Sequence, residues 1–142
     1  MNISKNGKDL IKKFEGCELV AYKCPRGIWT IGYGHTGPDV VKGKVITQKQ
    51  AEETLDYDLI KFCKGISSLI KVDVTQNQFD AIASLTFNIG IGAFGSSTLL
   101  RLLNEGRYTE AAQQFDRWVY VEKEKSDGLI RRRKIEKELF LK

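Results

Sequence analysis

The sequence predicts an α+β chain, mainly α, in which a small sheet lobe precedes a larger helical lobe. Three observations carry that expectation. The apolar pattern runs with a period of about two between Leu19 and Ile31, then shifts to about 3.6 from Thr47 onward. Five glycines fall between Gly27 and Gly43, which keeps that stretch in turns. The second half carries two helix-start signals, Thr47-Gln48-Lys49-Gln50 and Thr75-Gln76-Asn77-Gln78. In each, a threonine hydroxyl can cap the amide three residues on while the glutamine side chain caps the threonine in return.

Each element follows in order. Ile3, Leu10, Ile11 and Phe14 share one helical stripe, so residues 3 to 14 read as a short amphipathic helix ending near Glu15-Gly16. Leu19 to Tyr22 and Ile28 to Ile31 have strand composition and flank Lys23-Cys24-Pro25-Arg26-Gly27, a turn with proline and glycine where turn chemistry wants them. Ala51, Leu55, Leu59, Phe62 and Cys63 then give a long helix its apolar face, and Phe79, Ile82, Ala83, Thr86 and Phe87 give one to the next. Further helices fit Thr98 to Asn104, Thr109 to Val119 and Leu129 to Leu141, with glycine-containing breaks expected at Gly90 to Gly95, Gly106 and Gly128. The expectation is one domain over residues 1–142: a sheet lobe at about 15–46, a connecting helix at about 47–64, and a helical lobe at about 65–142 joined by the N-terminal helix.

Composition limits the classes of function. A chain of 142 residues with 42% hydrophobic content can bury a core of its own, and no repeat or low-complexity run interrupts it. Cys17, Cys24 and Cys63 are odd in number and match neither a disulfide framework nor a zinc module, which suits a reducing compartment during synthesis. The net charge of +5 favours an anionic partner, and nine Lys or Arg against five Asp or Glu after Asp116 supply +4 of it. A bacterial envelope or a nucleic acid would both suit that charge, but no nucleic-acid-binding module surrounds the arginines, so no nucleic acid is expected. Neither an export segment nor a membrane span is legible, and the chain as given is not expected to export itself or to insert stably in a membrane. His35 is the only histidine, so a multi-histidine metal site is excluded.

Glu15-Gly16, the block Trp29-Thr30-Ile31-Gly32-Tyr33-Gly34-His35-Thr36, Phe87-Asn88-Ile89-Gly90, Ser97-Thr98-Leu99, Phe115-Asp116-Arg117-Trp118 and Gly128-Leu129-Ile130-Arg131-Arg132-Arg133 occur in that order over nearly the whole chain. Together they resemble the phage-type lysozymes, the endolysins of glycoside hydrolase family 24. The family's pattern is a Glu, eight residues, an Asp, five residues and a Thr; Glu15, Cys24 and Thr30 keep the spacing, with cysteine in the aspartate position. The resemblance implies a lysozyme-like fold whose cleft between lobes takes a glycan strand. It also implies cleavage of the β-1,4 bond between N-acetylmuramic acid and N-acetylglucosamine in peptidoglycan, with inversion, and no metal or cofactor.

The residue chemistry suits those roles. Cleaving a glycosidic bond needs a proton delivered to the leaving oxygen while positive charge grows at the anomeric carbon. A carboxyl partly desolvated at a helix end, as Glu15 would be, can stay protonated to do so; the plain alternative is a solvated glutamate at a helix C-terminus. Thr30 could hold the attacking water, or be no more than a β-branched strand residue. An ordinary thiol has a pKa of about 8.5, so Cys24 is a poor substitute for aspartate unless Lys23, Arg26 or a backbone amide lowers it. Its alternative is a small turn residue before Pro25.

The remaining site residues come from the resemblance. It pairs His35 with Asp58 as a structural ion pair, places Phe87 and Thr98 at the substrate, and turns one of Arg131, Arg132 and Arg133 inward to the catalytic glutamate, the register not deciding which. As partners it implies peptidoglycan glycan strands and dependence on a holin-type membrane lesion. A monomer that stays in the host cytoplasm until lysis and then acts on the cell wall is the expectation. A peptidoglycan-binding protein of weak catalytic power is the alternative, motivated by Cys24.

Overall fold

A computed structural model describes all of residues 1–142. The chain divides into two compact units, Leu10–Lys61 and Met1–Asp9 with Phe62–Lys142. The fold is α+β and mainly α.

The unit of residues 10–61 is built on a three-stranded antiparallel sheet of β1 (Glu18–Lys23), β2 (Trp29–Gly32) and β3 (His35–Thr36), in that order. Tyr22 lies opposite Thr30 and Lys23 opposite Trp29 across β1 and β2. The β1–β2 turn closes through Cys24 N–H to the Ile28 carbonyl at 3.0 Å and Gly27 N–H to the Cys24 carbonyl at 2.8 Å. Gly27 sits there at φ +79°, a conformation that a side chain resists. The far edge of β1 is bonded too, by Ala21 N–H to the Lys44 carbonyl and Ile46 N–H to the Leu19 carbonyl, both at 2.9 Å. Neither that segment nor β3 was expected as sheet; each is too short for a period to show. Ala21, Ile31 and Val40 form the buried centre, with Trp29 and Ile46 packed against it.

Two helices cross the division in sequence. α1 (Lys5–Glu15) starts two residues after Ile3 because Ser4 caps it, its carbonyl accepting from Lys8 N–H at 3.0 Å and its Oγ from Gly7 N–H at 3.2 Å. α2 (Gln48–Leu69) opens on the expected reciprocal cap, Gln50 N–H to Thr47 Oγ1 at 3.1 Å and Thr47 N–H to Gln50 Oε1 at 2.9 Å, and runs a turn beyond residue 64. No helix is long and apolar enough to cross a membrane.

The other unit is centred on α3 (Gln76–Ile89), buried continuously from Phe79 to Thr86, with the C-terminal helix α7 (Asp127–Phe140) as its main partner. Thr75 caps α3 through the second capping box. The fully buried Asp80 accepts from Ser4 N–H at 2.9 Å and Gln76 Nε2 at 2.8 Å, and from Ser4 Oγ, which ties the N-terminal residues to α3.

The structure corrects three expectations here. Gly90 to Gly95 is not a plain break, because Ile91–Gly95 forms the short helix α4 to bury Phe94, and Gly90 alone, at φ +93°, carries the turn. α5 (Thr98–Asn104) matches its expected span. The helix expected from Thr109 to Val119 is α6 (Tyr108–Gln113) followed by a 3-10 turn (Gln114–Arg117). The chain then leaves as a hairpin of β4 (Tyr120–Val121) and β5 (Glu124–Lys125), closed by Ser126 N–H to the Val119 carbonyl at 2.8 Å. Gly128 is no break either: Ser126 Oγ caps Leu129 N–H at 3.2 Å, so α7 begins ahead of the glycine.

Candidate active site

Glu15 is the last residue of α1 and is half-buried. The helix stops there because Gly16 takes φ +66°, the left-handed turn that ends helices, while its N–H still bonds the Lys12 carbonyl at 3.0 Å. β1 follows after one further residue, so the helix end and the hairpin are neighbours by chain length alone.

Cys24 and Thr30 come together across the β1–β2 hairpin. Thr30 is buried, and its hydroxyl donates to the Ile28 carbonyl at 3.0 Å. The half-buried Cys24 thiol is held below its ordinary pKa, first by a hydrogen bond from the Ile28 backbone amide. Burial opposes this; the Arg26 amide, the Thr30 hydroxyl and the Arg26 charge add to it. Thr30 has one proton, so it serves either the Ile28 carbonyl or a Cys24 thiolate.

Tyr22 was not expected to matter, yet it connects these groups. Its phenol is raised above the ordinary value by burial first, then by the negative charges of Glu15, Glu18 and Cys24. Glu15 and Cys24 thus both bear electrostatically on the Tyr22 hydroxyl. The only sequence signal was that Tyr22 precedes the turn on a strand with Thr30 opposite.

His35 is placed against Asp58, Nδ1 to Oδ2 at 2.7 Å, and against Asp39, Nε2 to Oδ2 at 3.0 Å. Burial pushes the imidazole pKa down, but hydrogen bonds and attraction from Asp58 and Asp39 outweigh it and raise the value. Asp39 was missed, although its spacing of four from His35 was a signal.

Phe87 and Thr98 belong to the other unit. The half-buried Phe87 ring packs on Phe62, centroids 5.2 Å apart and planes tilted by 45°. Thr98 lines an open concavity of about 240 Å³ with Leu99, Gln114, Arg117 and Trp118.

In the same unit α7 turns Arg132 and Arg133 inward and leaves Arg131 exposed. Arg132 Nε and Arg133 Nη1 meet the fully buried Glu136 carboxylate at 3.1 and 2.7 Å, and Ser84 Oγ donates to it at 2.5 Å. Arg132 Nη2 also reaches the Ser84 carbonyl at 2.9 Å, Arg133 Nε reaches the Trp118 carbonyl at 2.7 Å, and Arg133 bonds Asn88 Oδ1. Sequence reading missed Glu136, although spacings of three and four from the two arginines place all three on one helical face. No cluster of three or more His, Cys, Asp or Glu side chains is arranged to hold a metal ion.

The chain resembles known proteins over nearly its whole length. Over 142 residues the chain is 50% identical to an endolysin of Bacillus phage PZA, covering 99% of this chain but 55% of that protein. The chain thus spans about half the length of that relative. It is 49% identical to an endolysin of Acyrthosiphon pisum secondary endosymbiont phage 1, covering 99% of this chain and 98% of the other. Among solved structures, the muramidase domain of SpmX from Asticaccaulis excentricus superposes with a TM-score of 0.93 at 46% identity, covering 99% of this chain and 98% of that one. The phage lysozyme family model matches residues 12–136, from the last turn of α1 through the buried Glu136, and with that span and those relatives the chain belongs to the phage lysozyme family.

Proposed function

We propose that this chain is an endolysin muramidase, hydrolysing the β-1,4 bond between N-acetylmuramic acid and N-acetylglucosamine in peptidoglycan with inversion, and so lysing bacterial cells. Glu15 gives its proton to the leaving glycosidic oxygen. Cys24, as thiolate, takes a proton from the attacking water that Thr30 helps to orient, and the new bond forms on the opposite face of the sugar. No cofactor enters the reaction. Phe87 and Thr98 contact the glycan strand.

The observation that best supports this reading is the placement of Glu15 at the end of α1, just ahead of the β1–β2 hairpin whose turn and second strand carry Cys24 and Thr30; the lowered Cys24 thiol fits the role given to it. Family membership supplies the substrate class. The protein acts as a monomer, accumulates in the host cytoplasm and reaches the wall through a holin-type membrane lesion.

The test is Glu15→Gln, which keeps shape and removes the transferable proton. Release of reducing ends from purified peptidoglycan falls about 10²- to 10⁴-fold, and NMR of the fresh product from the parent shows the inverted anomer. A variant retaining more than about a tenth of the parental rate removes Glu15 from the acid role. The second reading, a peptidoglycan-binding protein of weak catalytic power, is favoured by Cys24 alone. It predicts that the parent sediments with sacculi yet releases no muropeptides.

A further inference from the structure

The end of α1 is held from α2 by a set of polar contacts on both sides of Glu15. Lys12, one helical turn before Glu15, places its ammonium on Glu52 Oε2, and the same nitrogen lies 5.6 Å from the centre of the Tyr33 ring. Glu52 Oε1 accepts from Tyr33 OH at 2.9 Å and from Gln48 Nε2 at 3.1 Å, and Gln48 Nε2 also reaches Tyr33 OH at 2.9 Å. On the other side of Glu15, Cys17 Sγ lies 3.7 Å from Gln48 Oε1. Glu52 and Gln48 are four apart and so share one face of α2. The carboxylate is committed to this arrangement: its pKa is lowered, first by the Lys12 hydrogen bond, with burial opposing and with Tyr33 and Gln48 adding to the effect.

We infer that Glu52 is a positioning residue for the reaction, holding Lys12, and through it the last turn of α1, so that Glu15 stays aligned with its substrate. The inference rests on Glu15 being the acid. The need for such a holder is local. Glu15 ends its helix and is followed by Gly16 at φ +66°, whose added Cβ would meet nothing within 4 Å. The side of Gly16 where a Cβ would stand is open, and terminal turns fray. Misplacing a reacting group by about 1 Å can cost about 10²-fold in rate. An ordinary ion pair at the surface would matter little, but these side chains are only 25% and 34% exposed, and the carboxylate joins α1, the turn after β2, and α2.

The experiment measures kcat and KM on soluble glycan-strand fragments, counting reducing ends, with circular dichroism and thermal midpoint for each variant. Glu52→Ala lowers kcat about tenfold with KM within about twofold. Glu52→Gln keeps acceptors for Tyr33 and Gln48 and recovers part of the loss. Lys12→Met keeps the alkyl stem over Tyr33 without the charge and loses kcat as well, and combining it with Glu52→Ala adds little further loss. Glu53→Gln, removing an exposed charge one residue away, leaves both constants unchanged. If Glu52→Ala does not fold, Glu52→Gln and Lys12→Met carry the same comparison.

An active parent and an inactive Glu15→Gln, together with Glu52→Gln and Lys12→Met at the parental kcat, overturn this inference alone. A loss confined to KM or to thermal stability also overturns it, because a purely structural pair behaves that way. An inactive parent, or an active Glu15→Gln, overturns the acid assignment and this inference with it.

Discussion

Replacing Glu136 by alanine should be among the most damaging single changes to the stability of this protein. The carboxylate is fully buried and accepts from Ser84 Oγ at 2.5 Å, Arg133 Nη1 at 2.7 Å and Arg132 Nε at 3.1 Å. Arg132 and Arg133 are themselves only 5% and 1% exposed, so two guanidiniums keep their charge out of water after this partner is gone. Removing one partner of a buried ion pair costs about 3–5 kcal/mol. For a domain of this size each kcal/mol is about 3–4 °C in Tm, so the midpoint should fall by about 10–20 °C. Glu136→Gln keeps a carbonyl acceptor and should cost about 2–3 kcal/mol. Urea unfolding followed by tryptophan fluorescence gives the numbers. The slope must be fitted separately for each variant, because a change in slope would mark independent melting of the two units. A loss for Glu136→Ala of under about 1 kcal/mol, the scale of an exposed pair such as Lys49 and Glu53, would refute the argument that the Glu136 carboxylate stabilises the two buried guanidiniums.

Three further outcomes follow from the local chemistry. Since the His35 pKa is raised in the fold, its pairing contributes fully below the unfolded value of about 6.5 and is lost as pH rises through the folded value; the lowered Asp39 contributes above about 3.9 and is lost as pH falls through its folded value. Asp58→Asn should therefore cost on the order of 1 kcal/mol near pH 5 and much less near pH 9, and equal losses in denaturation at both pH values would refute the pairing. Cys24→Asp should match or exceed parental lysis at pH 7, while Cys24→Ala should lose it steeply with Tm nearly unchanged. The parental rate should rise with pH below the ordinary thiol value of about 8.5, because the Cys24 thiol is lowered. Full activity in Cys24→Ala would pass the water-orienting role to Thr30. Gly7→Ala would bring a methyl to 2.7 Å from Asp80 Cγ and from Ile3 Cγ1; overpacking of that kind costs about 1–3 kcal/mol, and an unchanged midpoint would show that the N-terminal contact yields freely.

Much of this protein was legible without coordinates because the signals were local. The Thr47 and Thr75 caps involve residues three apart, and both form as the letters indicate. The apolar periods of α2 and α3 reflect burial on contiguous helical faces, and the turn at Gly27 reflects a backbone angle that glycine adopts without strain. The spacing of Glu15, Cys24 and Thr30 was likewise legible, and family membership followed from the order of motifs along the chain. Tertiary structure decided what depends on distant partners. Ile91–Gly95 is a helix because Phe94 has a core to enter, which no run of glycines announces. Arg132 and Arg133 point inward, and Arg131 does not, because Ser84, Asn88 and the Trp118 carbonyl stand ready to receive them from segments 15 to 48 residues away. The lowered Cys24 thiol belongs to the same class: the letters leave open whether Lys23, Arg26 or a backbone amide lowers it, and in the folded hairpin the Ile28 amide acts first, with the Arg26 amide and the Thr30 hydroxyl adding to it.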